Sequence, residues 1–513
     1  MGVFFVYPVV TILGRGLWPD GGLDFSPVGH VFSDSGMRHI MWFTVWQAAA
    51  STALTLVVAL PAAFVVARYR FRGRALVRGL MIVPFVLPTV VVASAFRALG
   101  FEPSIAAILL AHAFFNYAVV VYVVGGLWSH LDPRQEDAAR VLGATRLRAL
   151  VSVTLPALRP AILAATSIVF LFSFTSFGII LILGGPSRAT LETEIYRQTT
   201  QVLDLRTAAA LSIVQLIAVV ALLVMTGSLG RRTVPLSLVS APESVRLPRA
   251  AGERALLTGV LTTTGLLLGT PIAVLVARSF DTADGFGFGF YRALGELHAN
   301  SVLFVPPAEA IGNSVLYALG ATAIALLVGG TAAFAIARSR RGAALNLVLA
   351  LPLGVSAVTV GFGFLIALDE QPLDLRGSWV LVPIAHALVA VAVVVYVAVP
   401  VLRSIEPRLR EAAAVLGASP RAVWREVDLP IAARGLLVAA GFAFAISLGE
   451  FGATAFIARP DRPTLPVVVF RLLGQPGAQN FGAAMAASTI LMLLTLVSVL
   501  AIERFRTREL GAF

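Results

Sequence analysis

The chain has 513 residues, 58% of them hydrophobic and only 13% charged, with a formal net charge of +12 and a mean hydropathy of +0.89. That composition belongs to lipid and excludes a chain built around a water-soluble core. Cysteine and lysine are both absent, which excludes disulfides, thiolate metal sites and the Walker A loop, whose lysine must reach the nucleotide phosphates.

A helix crossing hydrocarbon needs roughly 20 mostly apolar residues, and about twelve runs meet that description. In chain order they cover 3–17, 41–67, 76–99, 104–128, 160–184, 207–227, 255–279, 313–337, 343–368, 378–402, 432–457 and 482–502. The first run is short: seven residues precede Pro8, whereas the matching Pro271 follows a long apolar approach from Ala255. No A-x-A-like site follows it, so the expectation is an uncleaved anchor. Residues 228–254 are polar, basic and punctuated by proline, and read as a cytoplasmic linker between a first transmembrane domain, 1–227, and a second, 255–513.

The pI near 11 is a topology signal and no sign of nucleic-acid binding. Most arginines fall in alternate loops, as in Arg68, Arg70, Arg72, Arg74 and Arg78, then Arg338, Arg340 and Arg341, then Arg504, Arg506 and Arg508. The opposite loops carry acids: Asp20, Asp24, Asp34, Glu192, Glu194, Asp281, Asp284, Asp369, Glu370 and Asp374. The arginine-rich side is cytoplasmic by the positive-inside rule.

The halves repeat. "AAFVVAR" (62–68) recurs as "AAFAIAR" (332–338), "HAFFNYAVVVYV" (112–123) as "HALVAVAVVVYV" (386–397), and "DPRQEDAARVLGA" as "EPRLREAAAVLGA" (406–418). Six spans per half predict two copies in the same orientation, an all-α membrane protein built as a parallel repeat. In each half an alanine-rich helix outside the lipid ends at a glycine, Gly143 or Gly417, suited to a left-handed C-cap. Thr145 and Ser419 then fit N-caps of a second short helix.

Here the sequence resembles a known family. The pattern E-A-A-x3-G-x9-I-x-L-P belongs to the permease subunits of binding-protein-dependent ABC importers. It is matched by Glu411, Ala412, Ala413, Gly417, Val427, Leu429 and Pro430, and upstream by Asp137, Ala138, Ala139, Gly143, Val153, Leu155 and Pro156. Valine stands for isoleucine in both copies and aspartate for glutamate in the first. The resemblance covers essentially the whole chain and implies the type I importer permease fold and a multi-pass protein of the bacterial cytoplasmic membrane. It also implies two copies of a cytoplasmic ATP-binding subunit docking on the two motifs, and an extracytoplasmic substrate-binding protein. It points to the fused permeases for thiamine or ferric iron. "FTVWQAAAS" (43–51), "LLAHAFFN" (109–116), "LGGPSRATLETEIYRQ" (183–198) and "SLGEFGATAFIARPDRPTLPVVVFRLLG" (447–474) resemble the thiamine type.

Within the spans, Glu450 is the one acid, beside Phe451, and a mid-bilayer charge costs roughly 2.5–3.5 kcal/mol unless it faces a cavity or a partner. Ser173 and Ser447, Phe177 and Phe451, are repeat mates and, with Glu450, the candidate translocation path; packing of small residues between helices is the competing reading. The scattered histidines, His112 and His386 among them, supply no metal site, and no cofactor is expected. No nucleophile–base set or carboxylate pair marks an enzyme. An ion-coupled secondary transporter is the alternative of another class, but the intramembrane acid and base chains of a proton relay are missing.

Overall fold

A computed structural model of the protein describes residues 1–18, 22–229, 245–297, 302–339, 355–369 and 373–510, together with Gly342 and Leu349. Asp20, Arg340, Arg341, Glu370, linker residues 230–244, and residues 343–348 and 350–354 of the predicted run 343–368 lie outside them. Among the described residues the only strands are Asp281–Thr282 and Gly285–Phe286, paired antiparallel; all other regular structure is helical. Hydrocarbon offers no partner to a backbone amide or carbonyl, so a spanning segment must satisfy its own.

The first half contributes α1 (Gly2–Leu17), α2 (Ser35–Arg68), α3 (Arg74–Val86), α4 (Thr89–Ala98), α5 (Ile105–His130), α6 (Pro133–Val141), α7 (Leu155–Phe174) and α8 (Leu205–Leu229). The second contributes α9 (Ala251–Phe280), α10 (Glu309–Arg338), α11 (Ala357–Ala367), α12 (Leu381–Ser404), α13 (Pro407–Val415), α14 (Leu429–Gly449), α15 (Leu465–Leu473) and α16 (Ala478–Leu510). Among the described residues eight helices are long and apolar enough to cross a bilayer, or ten if two bent pairs count as one span each. The other two predicted spans are α1, apolar but shorter than a span, and the run 343–368, of which the described residues include the apolar α11.

Three predicted spans are interrupted. The run 76–99 is two helices, α3 and α4, bent by 106°. Its cause is Pro88: Leu87, the residue before it, is forced to extended backbone at ψ 139°. The run 160–184 stops at Phe174 and resumes at Gly178, and the run 432–457 stops at Gly449 and resumes at Thr454. Hydropathy misses such breaks because the intervening residues are themselves apolar or small.

Contacts gather the chain into two compact units. One comprises Met1–Phe32, Glu194–Leu216 and Ser279–Phe513; the other comprises Ser33–Thr193 and Ile217–Arg278. Each unit therefore takes the leading helix of the opposite sequence half, α1 in the former and most of α9 in the latter. In the former, α1 lies against α11, where Gly363 leaves room for Pro8: a Cβ there would meet the proline ring at 3.0 Å. In that unit α10, α12 and α14 pack together through small residues such as Ala325, Ala390, Ala439 and Ala443. In the other unit α2, α5 and α7 make the same three-helix core.

The duplication is also visible at single-atom level. The Leu191 amide donates to Thr44 Oγ1 at 3.0 Å, and at the matching place in the second half the Leu465 amide donates to Ser314 Oγ at 2.8 Å. Because the chain has no cysteine, single introduced thiols report topology cleanly. Ser419→Cys should react with a membrane-impermeant maleimide only in inside-out vesicles, and Gln479→Cys only in right-side-out vesicles. Labelling of both from one side would refute the placement of α14 as a span.

Candidate functional site

The two alanine-rich motifs form helices of the same construction. Each starts with proline at its first position, Pro133 in α6 and Pro407 in α13, where a missing amide hydrogen is no loss. In α6 the Asp132 side chain accepts from the Arg134 amide at 2.9 Å. Each helix ends in the same pair of crossed bonds: Gly143 N to Arg140 O and Ala144 N to Ala139 O, both 3.0 Å, and Gly417 N to Ala414 O and Ala418 N to Ala413 O, both 3.0 Å. Gly143 and Gly417 sit at φ 92° and 87°, the left-handed conformation expected of a C-cap glycine. Thr145 and Ser419 then cap the next short helix by accepting from the Arg148 and Ala422 amides at 3.2 and 3.3 Å.

The helices present an unusual surface. Neither α6 nor α13 buries any residue, and Val141, Leu142, Val415 and Leu416 are each at least 87% exposed. Asp137 and Glu411, and Ala138 and Ala412, are exposed as matching pairs, while Ala139 and Ala413 are half-buried. An exposed apolar pair beside a small-residue face suits a partner's groove. Leu155–Pro156 and Leu429–Pro430 close each motif at the first turns of α7 and α14.

Around α6 the chain is tied by ions. Arg246, just before α9, bonds through both its terminal nitrogens to the buried Glu253 carboxylate at 2.8 and 3.0 Å, which raises the pKa of its guanidinium. Its backbone joins that of Arg68 and Arg70 at 2.9 Å on each side, and its guanidinium lies over the Tyr69 ring. Burial, with Glu253 nearby, pushes the Tyr69 phenol up. Arg146 reaches Glu253 at 3.7 Å. A cavity of about 840 Å³ opens here, walled by Phe64, Trp128 and Leu256 and rimmed by Arg68, Glu136 and Glu253. Sequence reasoning missed these anchors; its reading of Arg68 as a topology signal took no account of the recurrence of that arginine in both "AAF" repeats.

The predicted path residues are buried. Ser447 Oγ lies 2.7 Å from His386 Nδ1, His386 Nε2 lies 2.7 Å from Thr454 Oγ1, and Thr454 Oγ1 donates to Glu450 Oε2 at 2.7 Å. Glu450 also accepts from the Ala453 and Thr454 amides at 3.0 and 3.2 Å, so its carboxylate caps the turn that follows α14. The Phe451 ring lies tilted against that of Phe470, their centroids 5.4 Å apart. In the first half Ser51 Oγ meets His112 Nδ1 at 2.9 Å, and Ser173 accepts from Gln47 and Asn116. Ser176 stands where Glu450 stands, and His112 Nε2 finds no hydrogen-bond partner among the described residues. Phe177, at the break after α7, is buried.

Residues 39–233 match the family model of the binding-protein-dependent transport system inner membrane component. The chain is 26% identical over 496 residues to the thiamine transport system permease protein ThiP of Salmonella typhimurium, covering 92% of this chain and 90% of that protein. It is 28% identical over 515 residues to the ThiP of Brucella abortus, covering 94% and 90%. A Salmonella typhimurium permease protein named for 2-aminoethylphosphonate transport, PhnV, is 31% identical over 244 residues, covering 46% of this chain and 89% of PhnV.

A left-handed backbone costs an L-residue about 1–2 kcal/mol, and a β-branched one more. We therefore expect Gly143→Val and Gly417→Val each to leave membrane insertion intact and to lower transport several-fold. Transport measured in cells expressing the double variant at wild-type level should be lost; unchanged transport would refute the role of these turns.

Proposed function

The chain belongs to the family of inner membrane components of binding-protein-dependent transport systems, and from that premise we propose which cargo it passes and how its two halves are driven. It is a multi-pass transport subunit of an ABC importer, working with ATP-binding and substrate-binding partners. The cargo we propose is thiamine or its phosphates, with ferric iron as the alternative. What supports thiamine is likeness to permeases of that name over nine-tenths of both chains.

Residues 1–227 and 255–513 are two permease domains joined by 228–254, and each receives one copy of the ATP-binding subunit. Asp137, Ala138, Ala139 and Gly143, with Leu155–Pro156, form one docking element; Glu411, Ala412, Ala413 and Gly417, with Leu429–Pro430, form the other. The support is the matching exposed Val-Leu pair on each helix. Ser173, Phe177, Ser447, Glu450 and Phe451 are the residues assigned to the translocation path, by their burial at matching places of the repeat. They mark the two interruptions after α7 and α14, where Gln47 donates to the Ser173 carbonyl and Glu450 accepts from the Ala453 and Thr454 amides. The ATP-driven step belongs to the partner, since a chain without lysine has no Walker A loop.

Two outcomes follow. The purified chain alone should hydrolyse no ATP, and azide-insensitive hydrolysis by a homogeneous preparation would overturn that assignment. Proteoliposomes holding the full complex with its cognate substrate-binding protein should accumulate radiolabelled thiamine saturably and ignore ferric chelates; the reverse pattern would assign iron.

A further inference from the structure

Asp428 occupies the single position between Val427 and Leu429 that the family pattern leaves open. It immediately precedes α14 and has no solvent exposure. Its Oδ1 accepts from Arg410 Nε at 2.7 Å, and its Oδ2 accepts from the Arg338 guanidinium. Arg338 is the last residue of α10, and Arg410 lies on α13. One carboxylate thus joins two spans to the docking helix.

That junction matters because α13 buries none of its residues. Apolar packing does not hold it, and its flanking turns at Glu406 and Gly417 are joints. A push delivered to α13 from below reaches α10 and α14 as a rigid displacement only if something fixes the helix to them. A charge-assisted bond made by two arginines to one buried acid does so.

The first half joins the matching pair of positions with the acid on the other element. Arg68 ends α2 as Arg338 ends α10. At the place of Asp428 stands Thr154, and at the place of Arg410 stands Glu136 on α6. The Thr154 hydroxyl donates to Glu136 Oε2 at 3.2 Å, while Arg68 Nη1 donates to the Leu131 carbonyl at 3.1 Å and shares the wall of one cavity with Glu136. In both halves the residue before the span bonds to the equivalent position on the docking helix, with the acid exchanged between the two.

We propose that Asp428 is a positioning residue that locks α13 to α10 and α14, so that movement of the docking helix is passed into the membrane, and that Glu136 with Thr154 is its counterpart under α6. This rests on the transport-subunit reading, and the experiment separates the two. In the full complex with the ATP-binding subunit, spin labels at Leu409→Cys on α13 and Leu437→Cys on α14 report their separation without any cargo. Wild type should give one narrow distance distribution, with and without trapped nucleotide. Asp428→Thr should broaden it and lower uptake at least tenfold while the ATP-binding subunit still copurifies. Asp428→Glu should retain most of the uptake, and Asp428→Thr with Arg410→Glu, which writes the first half's arrangement into the second, should restore both the narrow distribution and uptake. If Asp428→Thr fails to yield a monodisperse complex, the reciprocal pair Thr154→Asp with Glu136→Arg decides, and uptake within threefold of wild type supports the proposal. A narrow distribution and full uptake for Asp428→Thr, a double variant no better than the single, or a dead reciprocal pair would overturn it. A wild-type complex that keeps the narrow distribution yet takes up no thiamine would overturn the cargo reading alone.

Discussion

Inside hydrocarbon an interrupted helix must bring its own hydrogen-bond partners, because no water is there to replace them. The architecture of this chain follows from how it meets that demand. At Leu87–Pro88 the interruption is lessened by the residue that causes it, since proline has no amide hydrogen to satisfy. After α14 the demand is met by a side chain: the Glu450 carboxylate accepts from the Ala453 and Thr454 amides. The carboxylate in turn is kept from isolation by the chain through Thr454, His386 and Ser447, which is complete when Ser447 donates to Nδ1 and Nε2–H donates to Thr454. Glu450 is therefore an acid whose burial is compensated by three direct donors, the Ala453 and Thr454 amides and the Thr454 hydroxyl, within its own unit.

Outside the lipid the demand is reversed. α6 and α13 have water for their backbone ends but no core to hold them, and they bury nothing. Their direction is set at their termini: a proline start, a left-handed glycine stop, and a hydroxyl that begins the next helix. The outcome is a Val-Leu pair held in solvent, which is unfavourable for an isolated chain and is compensated when another protein covers it.

Much of this was legible in the sequence because it depends on residue types with few conformational options. Gly143 and Gly417 could be assigned left-handed backbone from their places after alanine-rich helices, and the structure has them there. Thr145 and Ser419 were legible for the same reason. The breaks at 175–177 and 450–453 were not, because Phe177, Phe451 and Ala453 keep the apolar run continuous while the backbone turns. Glu450 was read as a charge facing a cavity or a partner on the translocation path, and its capping role depended on Thr454 and His386 returning to it from 4 and 64 positions away along the chain. The composition of the compact units was hidden for a different reason. Repeats reveal what is duplicated along the chain, whereas the placement of α1 against α11 is a matter of which surfaces meet.

The duplication has kept geometry more strictly than chemistry. Thr44 and Ser314, His112 and His386, Arg68 and Arg338 hold equivalent positions, and the backbone of the two docking elements matches bond for bond. Their partners differ: Glu136 against Arg410, Thr154 against Asp428, Ser176 against Glu450. A bond between two elements needs a donor on one side and an acceptor on the other, and either element can carry either part, so compensated exchange is the change least damaging to a fastened joint. The flanks of the two docking helices have consequently diverged in charge, with Glu136 and Asp137 on one and Arg410 and Glu411 on the other. If the two ATP-binding subunits are copies of each other, as proposed above, they meet unlike charges on a like frame. What one surface can recognise twice is then confined to what the repeat has not exchanged, the left-handed glycine turn and the exposed apolar pair before it.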